Sequence, residues 1–240
     1  MIDLIKKHWI TSLGIVFIFA AFVYFLKMAM EQGWFPPEVR VFTGIGIGIS
    51  LLYAGYAVFA EKENLLGEIL AGVGVSVLYA TFTFVSFSDT LHWPFNVVFI
   101  SVLAITGIVS VVCFIFEMRV LLFVSLLGGL ISPLLIKASP EHDLMLFSYM
   151  LIINIASIYI SVSKKWTELR VLSFIVTGLI YATYYVVFEP ESWGKPFFYA
   201  TTFFLVYMVG INLASWKEND KFQGLNMYIA LINALVFITW

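Results

Sequence analysis

The chain is a succession of apolar runs of bilayer length divided by short polar connections, and few folds accept that pattern. A helix that crosses a membrane needs about 20 mostly apolar residues. Nine stretches fit: 9–30, 41–60, 69–87, 97–116, 120–136, 144–163, 171–188, 197–215 and 225–240. The connections are EQGWFPPEVR, EKENLLGE, SDTLHWPFN, EMR, KASPEHD, KKWTELR, EPESWGKP and WKENDKFQG, none long enough to be a soluble domain. Hydrophobic residues make up 62% of the chain and charged residues 12%, with a mean hydropathy of +0.99. Soluble domains carry about 25% charged residues, and a globule in water has no way to hide this much apolar surface. The expected fold is all-α, a polytopic transmembrane helical bundle of about nine spans. It reads as a single domain over 1–240, with the N-terminal part of a larger bundle as the alternative.

Two features support the segmentation independently of hydropathy. Trp9, Trp34, Trp93, Trp166, Trp193, Trp216 and Trp240 all lie at or near span ends, where an indole ring sits at the headgroup level with its N–H in water. Lysine and arginine alternate in density from loop to loop. One set of loops holds Lys6, Lys7, Lys62, Arg119, Lys164, Lys165, Arg170, Lys217 and Lys221; the other holds Lys27, Arg40, Lys137 and Lys195. Cytoplasmic loops are the ones enriched in these residues, so the N-terminus is expected in the cytoplasm. Lys6 and Lys7 before an apolar run also fit a signal peptide. The run from Trp9 to Met30 is long for one, and no small-residue cleavage site follows it, which favours an uncleaved first span.

The spans hold no Asp, Glu, Arg or His at mid-depth. Intramembrane ionisable groups are costly and usually functional, so their absence speaks against a proton relay or an ion-coupled carboxylate site there. Asn154, Asn212, Asn226 and Asn233 are the intramembrane amides, and the seven-residue spacing of Asn226 and Asn233 puts them on one helix face. Hydrogen bonding between helices is the plain reading of such amides, and a polar substrate path the sharper one. Gly44 and Gly48, Gly67 and Ala71, and Gly72 and Ser76 have the spacing that lets membrane helices approach closely. Gly128-Gly129 and Pro133 interrupt the short span 120–136, either by ending a helix or by breaking it beside a cavity.

Other chemistry finds little support. His8, His92 and His142, with Asp89, Glu141 and Asp143, lack metal-ligand spacing. The single cysteine, Cys113, excludes an internal disulfide and a cysteine-based metal site. No catalytic residue, cofactor-binding residue or metal ligand is expected, and the enzyme question leans to no. A net charge of −2 gives no reason to expect nucleic acid as a partner. The expected partners are the lipid bilayer and other membrane proteins or further copies of the chain.

The loop GWFPPEVR at 33–40 resembles the G-W-x-x-P-x-x-R signature of a bacterial family catalogued as domain of unknown function 2339. GGLISPLLIKAS at 128–139, LFSYMLIIN at 146–154 and the W-x-x-L of Trp166 to Leu169 resemble it in the same order. The resemblance runs from about residue 9 to about 190. It implies an inner-membrane protein of many spans with no established activity, and its recurrent positions map onto Gly33, Trp34, Pro37, Arg40, Gly128, Gly129, Pro133, Tyr149 and Asn154. Family members often carry a soluble segment before the first span and continue past nine spans. This chain departs on both counts, and a fragment or a shortened member is the expectation.

Function is read at the level of class. The first reading is a transporter or lipid-handling protein for a hydrophobic or amphipathic substrate, with a mid-membrane cavity lined by Asn154, Tyr181, Tyr184 or Asn233. The second is a non-catalytic membrane scaffold or assembly protein of the cell envelope. A membrane-embedded enzyme ranks third, because Glu38, Arg40, Asp89, His92 and Asp143 form no recognisable constellation. The candidate ligand or cavity positions are Trp34, Arg40, Pro133, Asn154, Tyr181, Tyr184 and Asn233.

Overall fold

The computed structural model describes residues 28, 33, 36–62, 65–88, 91, 93–135, 143–188, 193–217 and 225–239. These residues form eight long helices and no strand. They are α1 (Pro37–Lys62), α2 (Leu65–Phe87), α3 (Phe95–Phe116), α4 (Arg119–Leu135), α5 (Asp143–Lys164), α6 (Thr167–Phe188), α7 (Gly194–Lys217) and α8 (Leu225–Thr239). Each matches one expected span to within a few residues. The expected span 9–30 lies outside the described residues.

The span count needs correction. Among the described residues six helices, α1, α2, α3, α5, α6 and α7, are long and apolar enough to cross a membrane, rather than nine. The apolar parts of α4 and α8 are shorter, at Arg119–Ser132 and Asn226–Ile238. At 1.5 Å per residue, a 17-residue helix such as α4 reaches roughly 25 Å, short of the hydrocarbon thickness of about 30 Å.

Helix ends extend further into the polar connections than hydropathy indicates, because charged residues there are tied into the bundle. Glu68 in the first turn of α2 accepts the N–H groups of Val120 (2.6 Å) and Leu121 (3.1 Å), capping the start of α4. Glu117 pairs with Lys164 at 2.6 Å, and Arg119 pairs with Glu168. Arg170, expected in a loop, lies in the first turn of α6 with 1% of its surface exposed. The connection between α5 and α6 shrinks to Lys165 and Trp166. These contacts gather the starts of α2, α4 and α6 and the ends of α3 and α5 at one end of the bundle. At the other end Asp143 at the start of α5 meets Lys195 at the start of α7 (3.2 Å).

α4 is the central helix and packs on α2, α3, α5 and α6. Leu122, Leu126 and Leu130 on α4 and Met150 and Ile153 on α5 form the middle of the main apolar core. α1 lies on the outside and packs chiefly on α2. That pair is close because glycines face each other. A Cβ on Gly74 would stand 2.7 Å from the Gly48 carbonyl oxygen, and one on Gly67 2.7 Å from that of Gly55. At the far side α8 packs on α7, and a second apolar cluster holds Ile158, Tyr207, Ile211, Ile229 and Ala230. The described tryptophans, Trp93, Trp166, Trp193 and Trp216, all stand at helix ends.

Candidate functional site

Two buried polar knots tie the helices at mid-depth. In the first, the Tyr79 hydroxyl (α2) lies 2.7 Å from Thr106 Oγ1 (α3) and donates to the Ser125 carbonyl (α4) at 3.1 Å. Gly128 and Gly129 let α4 settle on this knot, since a Cβ on Gly129 would stand 2.7 Å from Thr106 Oγ1. In the second, Asn154 (α5) donates through Nδ2 to the Met150 carbonyl at 2.8 Å and to Thr177 Oγ1 (α6) at 2.9 Å. Tyr207 (α7) donates to Asn154 Oδ1. Asn154 has no exposed surface, and every polar atom of its amide is engaged. That is the arrangement a buried amide needs in hydrocarbon.

The second knot is the floor of a groove. α6 and α7 follow each other in sequence but touch only sparsely, because α7 leans on α5 and carries α8 on its other side. A cleft of about 250 Å³ remains between α6, α7 and α8. Thr177 and Tyr207 lie at its base, and Gly178, Tyr181, Phe204 and Asn233 line its sides. Ile175 and Leu179 of α6 also line it and are more than half exposed, so the cleft opens on the outer surface of the bundle. Phe204 and Phe237 stack at 4.6 Å between ring centres and brace α7 against α8. Asn233 donates to the Phe204 carbonyl at 3.1 Å, and Tyr181 to the Pro196 carbonyl at 2.9 Å.

The sequence-derived positions separate into three groups. Tyr181 and Asn233 share this groove, and Asn154 stands one hydrogen bond behind its floor. Tyr184, one turn from Tyr181, packs edge-on against Phe147 (4.8 Å), which itself stacks on Tyr199 (4.0 Å). It belongs to a packed aromatic cluster beside the groove. The rest are elsewhere. Arg40 is in the first turn of α1 with its guanidinium over the Phe84 ring at 5.9 Å, and Pro133 is in the last turn of α4. Trp34 and the three histidines lie outside the described residues.

Sequence reasoning passed over Thr177, Gly178 and Tyr207. Hydroxyls in these helices usually bond the carbonyl four residues back, as Thr81, Thr183, Thr201 and Thr202 do. Nothing local marks Thr177 as one that reaches across instead. Gly178 carries a signal only in space: a Cβ added there meets nothing within 4 Å.

Residues 6–240 match the sequence profile of a family described as "Predicted membrane protein (DUF2339)". No curated protein and no solved structure matches the chain.

Proposed function

The chain belongs to the domain of unknown function 2339 family of predicted membrane proteins, and we propose that within it the α6–α7–α8 groove holds a hydrophobic or amphipathic molecule, in a transporter or lipid-handling protein. The observation that carries this reading is a cleft open on the bundle's outer face, apolar along its walls and polar at its floor. Small-molecule sites have this make-up, mostly apolar with a few convergent polar groups. An opening on the lipid-facing side admits a ligand that already resides in the bilayer. The scaffold reading rests on the short loops, the small-residue packing faces and the absence of a charged intramembrane site, and it gives the groove no role.

The same reading includes an orientation and a location. Lys62, Arg119, Lys164, Lys165, Arg170 and Lys217 gather at the end where α2, α4 and α6 begin, against Arg40 and Lys195 at the other. The positive-inside rule makes the richer end cytoplasmic. The family resemblance supports a bacterial inner membrane as the location.

Gly178→Leu tests the groove, because its side chain enters open space rather than packed core. The full chain in lipid nanodiscs is labelled with a photoactivatable long-chain alkyl diazirine. The expected result is label concentrated on α6 and α7 residues lining the cleft, reduced at least about tenfold in the variant with thermal stability unchanged. Label spread evenly over all outer faces, and indifferent to Gly178→Leu, would remove the proposal.

A further inference from the structure

We propose that the molecule held in this groove is a neutral long-chain compound bearing a hydroxyl or N–H donor, which it presents to Asn233 near the middle of the bilayer. The inference rests on the groove reading and adds the chemistry of the occupant.

Asn233 is 5% exposed and lines the cleft. Its Nδ2 donates to the Phe204 carbonyl, and this contact fixes which end of the amide is the oxygen. Among the described residues no donor reaches Oδ1. The groove's other hydroxyls are committed, Thr177 and Tyr207 to Asn154, and Tyr181 to the Pro196 carbonyl. In hydrocarbon an acceptor without a donor is unfavourable, because water is absent to replace the missing bond. A ligand that donates at this point satisfies it.

Charge and depth narrow the class. None of the lining residues is ionisable in the neutral pH range, so a charged headgroup would enter without a counter-ion, which the membrane interior penalises. Asn233 is eight residues past Leu225, roughly 12 Å along the helix. An interfacial phosphate does not reach that depth, whereas the hydroxyl of a neutral amphiphile does.

The experiment compares two probes with the same hexadecyl chain, 1-hexadecanol and hexadecyl methyl ether, which keeps the oxygen but has no proton to donate. Radiolabelled hexadecanol is bound to the purified full chain and displaced by each. The alcohol should compete about tenfold more effectively than the ether, the scale of one added hydrogen bond. Asn233→Leu should erase that preference by lowering affinity for the alcohol alone. If alcohol and ether compete equally in the unmodified protein, and Gly178→Leu abolishes both, the donor inference falls while the groove reading stands. If hexadecanol shows no saturable binding, both fall.

Discussion

A proline in a membrane helix leaves the carbonyl four residues earlier without its N–H, and in α4 that carbonyl belongs to Gly129. The Tyr149 hydroxyl of α5 donates to it at 2.6 Å. Three positions of the family resemblance, Gly129, Pro133 and Tyr149, thereby become parts of one device. The glycine lets α4 approach α3, the proline frees an acceptor, and the tyrosine of the next helix satisfies it. Tyr149→Phe strands a buried acceptor and is expected to destabilise by about 1–3 kcal/mol. In a Pro133→Ala background, where residue 133 again has an N–H, the same change should be markedly milder. A double-mutant cycle on unfolding in detergent–denaturant mixtures reads the coupling, and a coupling of zero would separate the tyrosine from the proline. The sequence marks Pro133 as a break that needs a partner. It gives no sign that the partner is Tyr149, because that pairing depends on how α4 and α5 are juxtaposed.

At the scale of elements, hydropathy places the eight described helices well because lipid rewards uninterrupted apolar runs, but it places several of their starts too late. Glu68 looks like a loop residue until its partners at the start of α4 are known, and Arg170 until its burial in the first turn of α6 is seen. Hydropathy also does not distinguish a helix facing lipid from one facing protein, so α4 reads as a defective span although it is the central helix. The α1–α2 pair was more legible, since small residues four apart point to close packing. Gly48 and Gly74 meet backbone to backbone, while Gly46, two residues from Gly48, meets nothing within 4 Å. That contrast makes an internally controlled prediction. Gly74→Val drives a Cβ into the Gly48 carbonyl and should cost more than about 2 kcal/mol. Gly46→Val projects outward and should change stability by less than about 0.5 kcal/mol. Equal effects in the same unfolding assay would mean that the two helices are not in the register described.

For the whole molecule, the alternation of helices puts six described cations, Lys62, Arg119, Lys164, Lys165, Arg170 and Lys217, at one end and two, Arg40 and Lys195, at the other. The loops forecast this asymmetry, since charge is countable along a chain. The groove was not forecast as a shape, because it results from α7 leaning on α5 instead of α6, and apolar runs do not encode which faces meet. Asymmetry of this kind is a prediction about insertion: the end richer in lysine and arginine remains in the cytoplasm. Trp193 and Trp216 flank α7 at opposite ends and are 66% and 82% exposed, so each tolerates replacement. Cys113 is fully buried and adds little background to thiol labelling. In intact cells with a permeabilised outer envelope, a membrane-impermeant maleimide should modify Trp193→Cys and spare Trp216→Cys until the inner membrane is opened. The opposite pattern would invert the molecule in the bilayer and detach the charge bias from its orientation. Modification of both from the outside would mean that α7 does not cross, and a groove built on α7 would then open to water rather than to lipid.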